Sequence, residues 1–357
     1  MSNFDLSAIA LKAVCPNNEL LYDDKGMPSV MVKIPKMTYA DLGMGDSTDV
    51  FPAFIVNGKA VDAIYISKYQ NIVENGRAYS LPGRNPTSNI GMDDAINYCT
   101  SKGVGWHLMT RMEWALIIRW CQANGVMPKG NNWYGRHYTE SVTKAIPATK
   151  DSSGRTAKIL TGTGPMTWNH DQSPSGIADL GGNLWEWNGG VRLFKGEVQV
   201  LAGNNAADSA HSQSESSVEW KAIKASDGSL IPPDGNGSTP GSVKLDMGTS
   251  KITFSTTISR RSDSDAAIAF ASIECDSSIG ANAKLLLQSL ALLQYGSSNE
   301  LFESHSSLID NINEDMCMLS GGRWGMSACG AASYDLKNTR NMGTDKIGFR
   351  CAYVKLP

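Results

Sequence analysis

Apolar positions cluster in short runs along this chain, and the spacing of those runs predicts the elements. Residues 30–34 (VMVKI) and 63–66 (AIYI) have the apolar, β-branched character of strands, and the polar Gly/Pro-rich stretch 75–90 after them predicts a long loop. In 93–102 (DDAINYCTSK) and 111–123 (RMEWALIIRWCQA) the apolar residues recur at three-and-four spacing. Asp or Thr stands at each start, and Gly103 or Gly125 follows each end, so two short helices are predicted. From 125 to 186 the chain is Gly, Asn, Ser and Thr interleaved with aromatics, which reads as packed loop rather than linker. Between 202 and 249 it turns to Ser, Gly, Asn, Asp and Pro, followed by a strand-like run at 251–259 and a helix-like run at 281–295. A Gly-rich segment from Gly321 leads into GFRCAYV, which suits a closing strand. No period of 20 to 50 residues recurs, which argues against a solenoid or propeller.

Composition sharpens this picture at two points. The 357 residues include 35 glycines and nine tryptophans, a combination that favours tight turns around bulky anchors over long helices. A hydrophobic share of 41% with 19% charged residues describes a folded chain. Lys+Arg 32 against Asp+Glu 35, a net charge of -3, provides no field to gather nucleic acid or an anionic membrane. The first residues show no basic n-region and no unbroken apolar core before Asn17, so no secretory signal is read there. The longest apolar stretch, 285–293, is broken by Gln288 and Ser289, and no membrane span is expected. Seven widely spaced cysteines (Cys15, Cys99, Cys121, Cys275, Cys317, Cys329 and Cys351) contain no C-x-x-C pair. They argue against a zinc cage or a disulfide framework and for buried thiols.

Three segments in order carry a family resemblance: DDAINYCTSKGVGWHLMTRMEWALI at 93–117, GIADLGGNLWEWNGG at 176–190, and SGGRW at 320–324 followed by IGFRCA at 347–352. Together they resemble the C-type lectin fold in its formylglycine-generating-enzyme subtype, over roughly 28–200 and 317–354. The fold class expected is therefore α+β, loop-rich, with short antiparallel strands, two short helices and an insertion. The expected division is an N-terminal segment 1–27, a scaffold 28–201, an insertion 202–310, and a C-terminal part of the scaffold at 311–357. A fold of this kind hosts unrelated activities, so function has to be read from particular residues.

Within DLGGNLWEW, Gly181 and Gly182 suit a positive-φ turn, and Trp185 and Trp187 at period two point one way as core anchors while Glu186 points the other. The resemblance implies a structural calcium ion at this turn, held by Asp179, Gly182, Leu184 and Glu186, a set of hard oxygen donors; no other cofactor is required. It also implies, for the enzymes, two copper-binding cysteines at the sixth and eleventh residues from the first Gly of the GG pair. Here those positions are Met326 and Ala331, and Ala331 offers a soft metal no ligand. His107, His137, His170, His211 and His305 show no H-x-E or H-x-x-x-H pairing. The expectation is a chain that is not an enzyme.

The remaining relatives are variable proteins diversified by retroelements, among them phage tropism determinants. Residues 164–200 and the terminal block from SGGRWGMSACGAASYDLKNTRNMGTDK to IGFRCAYV resemble their scaffold and variable region. In that family template adenines are randomised, so Asn codons become mostly Tyr, Ser, Asp, Gly, Ala, Thr or Cys, and residues 325–344 are rich in such side chains. Met326, Lys337 and Met342 do not arise from an AAY Asn codon. The resemblance implies a ligand-binding face drawn from Trp324, Met326, Ser327, Ala328, Cys329, Ala331, Ser333, Tyr334, Asp335, Lys337, Asn338, Thr339 and Asn341. Trp324, Phe349 and Cys351 are expected to be inward anchors, with Tyr334 the first candidate hot spot. The expected function is non-catalytic receptor binding at a phage tail, in a virion component made in the host cytoplasm. The partner would be a protein or glycan on a target cell surface, with no nucleic acid, no membrane insertion, and a homo-oligomer left open. The alternatives are an oxidase of the formylglycine-generating type with relocated chemistry, in the bacterial cytoplasm or at the cell surface, and a carbohydrate-binding lectin. The sugar motifs Glu-Pro-Asn and Gln-Pro-Asp do not occur in the chain.

Overall fold

The computed structural model describes residues 3–248, 251–263, 267–296, 299–302 and 305–357. Positions 249–250, 264–266, 297–298 and 303–304 of the segment expected as an insertion, and positions 1–2 of the N-terminal segment, lie outside the described residues. Four α-helices occur among the described residues: α1 at Asn3–Val14, α2 at Met92–Thr100, α3 at Arg111–Ala123 and α4 at Ala281–Ser289. The predicted helix at 111–123 matches α3. Its start is fixed by a capping box, in which Glu113 N donates to Thr110 Oγ1 at 3.1 Å and Thr110 N donates back to Glu113 Oε2 at 2.9 Å. The run at 281–295 is helical only as far as Ser289, since Ala291 turns left-handed with φ of 47°.

Beside two two-stranded sheets, two large ones dominate the described residues. The smaller holds five strands in the order Asn18–Tyr22, Pro28–Pro35, Ala63–Ser67, Cys351–Val354 and Trp106–Leu108, each antiparallel to its neighbour. The larger is centred on Trp185–Phe194, flanked by Met316–Ser320 on one side and Glu197–Val200 on the other. Beyond Met316–Ser320 come Tyr334–Thr339, Ser306–Ile309 and Ile268–Ala269. Beyond Glu197–Val200 come Lys244–Met247, Ile252–Ser255 and Ile273–Cys275. Strands from the stretch 202–310 therefore extend both edges of the sheet that the WEW strand centres.

Other segments refine the sequence reading. The loop expected at 75–90 contains a short strand, Arg77–Tyr79, paired with Ile72–Glu74, and the run at 251–259 is a strand only over Ile252–Ser255. GFRCAYV, expected as one strand, is two. Ile347–Phe349 runs parallel to Trp185–Phe194 in the larger sheet, and Cys351–Val354 joins the smaller one. The chain crosses between the sheets at Arg350. The cysteine reading is corrected at one pair: Cys99 on α2 and Cys351 form a disulfide with Cα atoms 5.6 Å apart. Their separation of 252 residues in sequence hides that proximity. Among the rest, Cys15, Cys121, Cys317 and Cys329 are buried thiols and Cys275 is half-buried.

The seam between α3 and α4 is held by cations. Arg111 donates to Leu290 O at 2.8 Å, Ala291 O at 2.7 Å and Ser320 Oγ at 2.6 Å. Arg119 donates to Gln288 O from Nε and Nη2 at 2.9 and 2.7 Å, and to Leu293 O at 2.6 Å. Apart from the Ser320 hydroxyl, these acceptors are carbonyls around the C-terminus of α4, where a helix presents partial negative charge and unsatisfied oxygens. Burial pushes the Arg111 guanidinium down to about 10 and that of Arg119 down to about 9, so both remain charged near neutral pH. Replacing Arg111 by Met keeps the bulk but orphans these acceptors. We expect a loss of about 3 kcal/mol or more, read as a lower urea midpoint at unchanged m-value.

Candidate functional site

The segment from 179 to 188 is the first candidate site. Gly182 adopts φ of 86°, and a Cβ there would meet the Asn131 carbonyl at 2.5 Å, so only glycine fits. Gly181 is not left-handed. The other left-handed positions of the turn are Asp179 and Asn183, with φ of 61° and 63°. Trp185 and Trp187 are buried as expected, Trp187 donating from its indole to Ile90 O at 3.0 Å. Glu186 on the opposite face is equally buried. Arg350 takes it bidentately, Nε to Oε2 at 2.6 Å and Nη2 to Oε1 at 2.7 Å.

Three of the four residues implied as calcium donors gather around Gln70, a residue that its sequence context, KYQNI, does not single out. Gln70 Nε2 lies 2.9 Å from Glu186 Oε1, 3.2 Å from Leu184 O and 3.5 Å from Gly182 O. Asp179 stands apart, with Oδ2 accepting from Gly162 N at 2.8 Å and Oδ1 without a partner among the described residues. Burial raises the Asp179 carboxyl to about 6.

The C-terminal block is the second candidate site, and the structure divides it. Tyr334, expected on the receptor face, is 0% exposed. Its hydroxyl donates to Leu292 O at 3.0 Å, the Arg111 guanidinium lies 5.3 Å from its ring centre, and the Phe270 ring meets it edge-on. Cys329, Ala331, Ser333 and Asp335 are buried with it. Ala331 O accepts from the Trp114 indole at 2.9 Å, and Ser333 Oγ accepts from Gly330 N at 3.0 Å. These five positions are corrected from surface to interior. Tyr334 and Asp335 open the strand Tyr334–Thr339, which lies between Ser306–Ile309 and Met316–Ser320. Phe349 and Cys351 are inward anchors as expected, and Trp324, placed both on the face and among the anchors, is buried.

What stays at the surface lies at the two ends of the block. At one end Ala328 is exposed, and Met326 and Ser327 are half-buried. Trp324 backs this end, its ring 6.0 Å from that of Tyr134, which Arg155 covers at 3.7 Å. The Trp324 indole N–H has no partner among the described residues. At the other end Thr339 and Asn341 are exposed, and Lys337 and Asn338 are half-buried. There Lys337, Thr339 and Met342 line a shallow groove of about 440 Å³ with Lys195, Ile312 and Glu314. Ile312 and Met342 are 42% and 41% exposed, large apolar side chains open to solvent. The strand Tyr334–Thr339 separates the two ends, a span of about 17 Å at the rise of a strand.

No arrangement near the expected copper positions supplies a reactive thiol. Met326 is half-buried, Ala331 is interior, and burial pushes the Cys329 thiol between them up to about 12. Among the described residues no three His, Cys, Asp or Glu side chains gather in a way that could hold a metal ion. No helix among them is long and apolar enough to cross a membrane.

Two buried histidines brace this region as neutral rings. His305 Nδ1 accepts from Ala332 N at 3.0 Å beneath the C-terminal block, and His170 Nδ1 accepts from Ile177 N at 2.8 Å. Burial lowers His305 from 6.5 to about 3 and His170 from 6.5 to about 4. The unfolded chain therefore takes up protons first. Stability is complete above about pH 6.5 and is lost as pH falls toward the folded values, by roughly 2 kcal/mol per histidine at pH 5. In urea titrations at pH 7 and pH 5, His305→Asn, which keeps an acceptor for Ala332 N, should shrink that loss by about one histidine's share. An unchanged pH dependence would contradict the neutral, buried assignment.

Comparison with known proteins places the chain. Among solved structures it is similar to PvdO from Pseudomonas aeruginosa, at 15% identity and TM-score 0.39, covering 94% of this chain and 98% of that one. It is also similar to Treponema denticola variable protein 1, at 12% identity and TM-score 0.33, covering 95% and 99%. A third is the Major Tropism Determinant U1 variant, at 10% identity and TM-score 0.30, covering 94% and 71%. At such scores no function or residue role is carried over from them. No curated protein sequence matches. The family model for the sulfatase-modifying factor enzyme 1-like domain matches residues 47–229, just over half of the chain. With its mixed helices and short antiparallel strands in the C-type lectin-like arrangement, this chain belongs to the sulfatase-modifying factor enzyme 1-like domain family.

Proposed function

We propose that this chain is a non-catalytic ligand-binding member of that family, and that it binds through the surface ends of its C-terminal block, 326–328, 337–339 and 341, Arg340 being buried and paired with Asp315 and Asp93. One observation carries the reading. Met326 and Ala331 stand where the family's enzymes place their copper thiols, and the side chains that remain at the surface around them are small, polar and varied in type. Residues held only by a rigid scaffold can change without cost to the fold, and substitutions at exposed loop positions shift stability by about 0.5 kcal/mol or less. The interior of the block does the opposite work. Tyr334, Ala331 and Ser333 hold the ends in register, so variation there would unfold the chain rather than retarget it.

The resemblance to retroelement-diversified proteins extends the proposal to a phage tail receptor-binding protein carried on the virion. Its partner would be a protein or glycan on a target cell, and repeated copies on one particle would convert weak single contacts into firm attachment. The groove beside Ile312 and Met342 would offer apolar contact and Lys337 and Thr339 polar contact. Tyr134 with Trp324 would supply an aromatic platform at the other end.

Sequencing the 3′ end of this gene across the population that carries it tests the reading. Substitutions should concentrate at template adenines in codons 325–345, mainly those of 326–328, 337–339 and 341, with GFRCAYV unchanged. Absent or uniform variation would remove the diversification argument.

A further inference from the structure

We infer that a side-chain amide has replaced the calcium ion in the WEW turn, with Gln70 Nε2 occupying the centre that the cation would take and Arg350 supplying the positive charge. A calcium site gathers six to eight oxygens at about 2.3–2.6 Å around one point. Here the oxygens of Gly182, Leu184 and Glu186, three of the four implied donors, do converge on one point, and that point is a nitrogen. Its distances of 2.9, 3.2 and 3.5 Å are those of hydrogen bonds, at the weak end for Gly182, and not of metal ligation.

The orientation of the amide follows from its surroundings. Gln70 Oε1 accepts from Asn183 Nδ2 at 2.7 Å, and Asn183 Oδ1 accepts from the backbone N–H of Ile159 at 2.9 Å. A backbone N–H is only a donor, so it fixes the Asn183 amide, which in turn fixes Gln70 with its NH₂ toward the three oxygens. Charge follows the same logic. A cation would neutralise Glu186, but Arg350 already does so through two hydrogen bonds, while Nη1 and Nη2 also reach Ser67 O at 3.0 Å and Ala178 O at 3.1 Å. The fourth implied donor, Asp179, forms no hydrogen bond with Gln70: its Oδ2 accepts from Gly162 N and its Oδ1 has no partner among the described residues. The donor set therefore does not fit calcium. The turn is closed by parts of the chain itself, and binding by the chain is expected to survive chelation.

The test uses the full chain, with calcium ion as the probe. Purified protein dialysed against EGTA and then against calcium chloride should retain no stoichiometric calcium by elemental analysis, and its melting temperature should be the same in both. One calcium per chain, or a melting temperature that rises saturably with calcium, would overturn the inference. Gln70→Met keeps length and bulk but removes the donor. It should lower the melting temperature by at least about 3 °C, equally in EGTA and in calcium. A variant as stable as the original would show that the amide does not hold the turn. If Gln70→Met does not fold, the calcium content and melting of the unaltered chain decide alone.

Discussion

The ion pair between Arg350 and Glu186 is the constraint on which the rest of the architecture hangs. Both side chains are fully buried, so either one alone would leave a charge in the interior at a cost of several kcal/mol. Their partnership forces the last segment of the chain to pass between the sheets at one place. Before Arg350 the backbone pairs with Trp185–Phe194, and after it with Ala63–Ser67 and Trp106–Leu108. Because Arg350 also donates to Ser67 O and Ala178 O, strand, turn and terminus meet at a single guanidinium. The C-terminal block at 324–345 is thereby tied down on both sides, by Trp324 before it and by the GFR crossing after it.

Such an arrangement separates two demands on one stretch of sequence. The middle of the block, from Ala331 to Leu336, packs into the interior against Trp114, Phe270 and the end of α4. The two ends meet solvent. A surface that must change its side chains gains from an interior that does not, and here both lie within twenty residues. The stretch 202–310 contributes to the same end, since the end of α4 and the turn after it supply the carbonyls that Arg111 and Arg119 grip and Ser306–Ile309 covers the edge of the strand Tyr334–Thr339.

Much of the scaffold was legible from local pattern. Helix α3 announces itself by a capping residue, an amphipathic period and a terminal glycine, and all three are local signals. The inward turn of Trp185 and Trp187 follows equally from their period-two spacing, although the strand that carries them was not among the expected elements. What local pattern does not encode is who covers whom. Tyr334 among small polar residues reads as a paratope, yet Phe270, Arg111 and the Leu292 carbonyl enclose it, and none of them is near in sequence. The Cys99 and Cys351 pair is hidden for the same reason. Gln70 carries no signal at all in KYQNI, because its meaning lies in oxygens more than a hundred residues away.

The central claim is that the C-terminal block is interior in its middle and free only at its ends. Saturation mutagenesis of codons 324–345 with selection for protease resistance measures this directly, position by position. Broad tolerance is expected at 326–328, 337–339 and 341, and strong depletion of substitutions at 329, 331, 333–336 and the buried Arg340. Tolerance at Tyr334, Ala331 and Ser333 equal to that at Ala328 and Asn341 would contradict it.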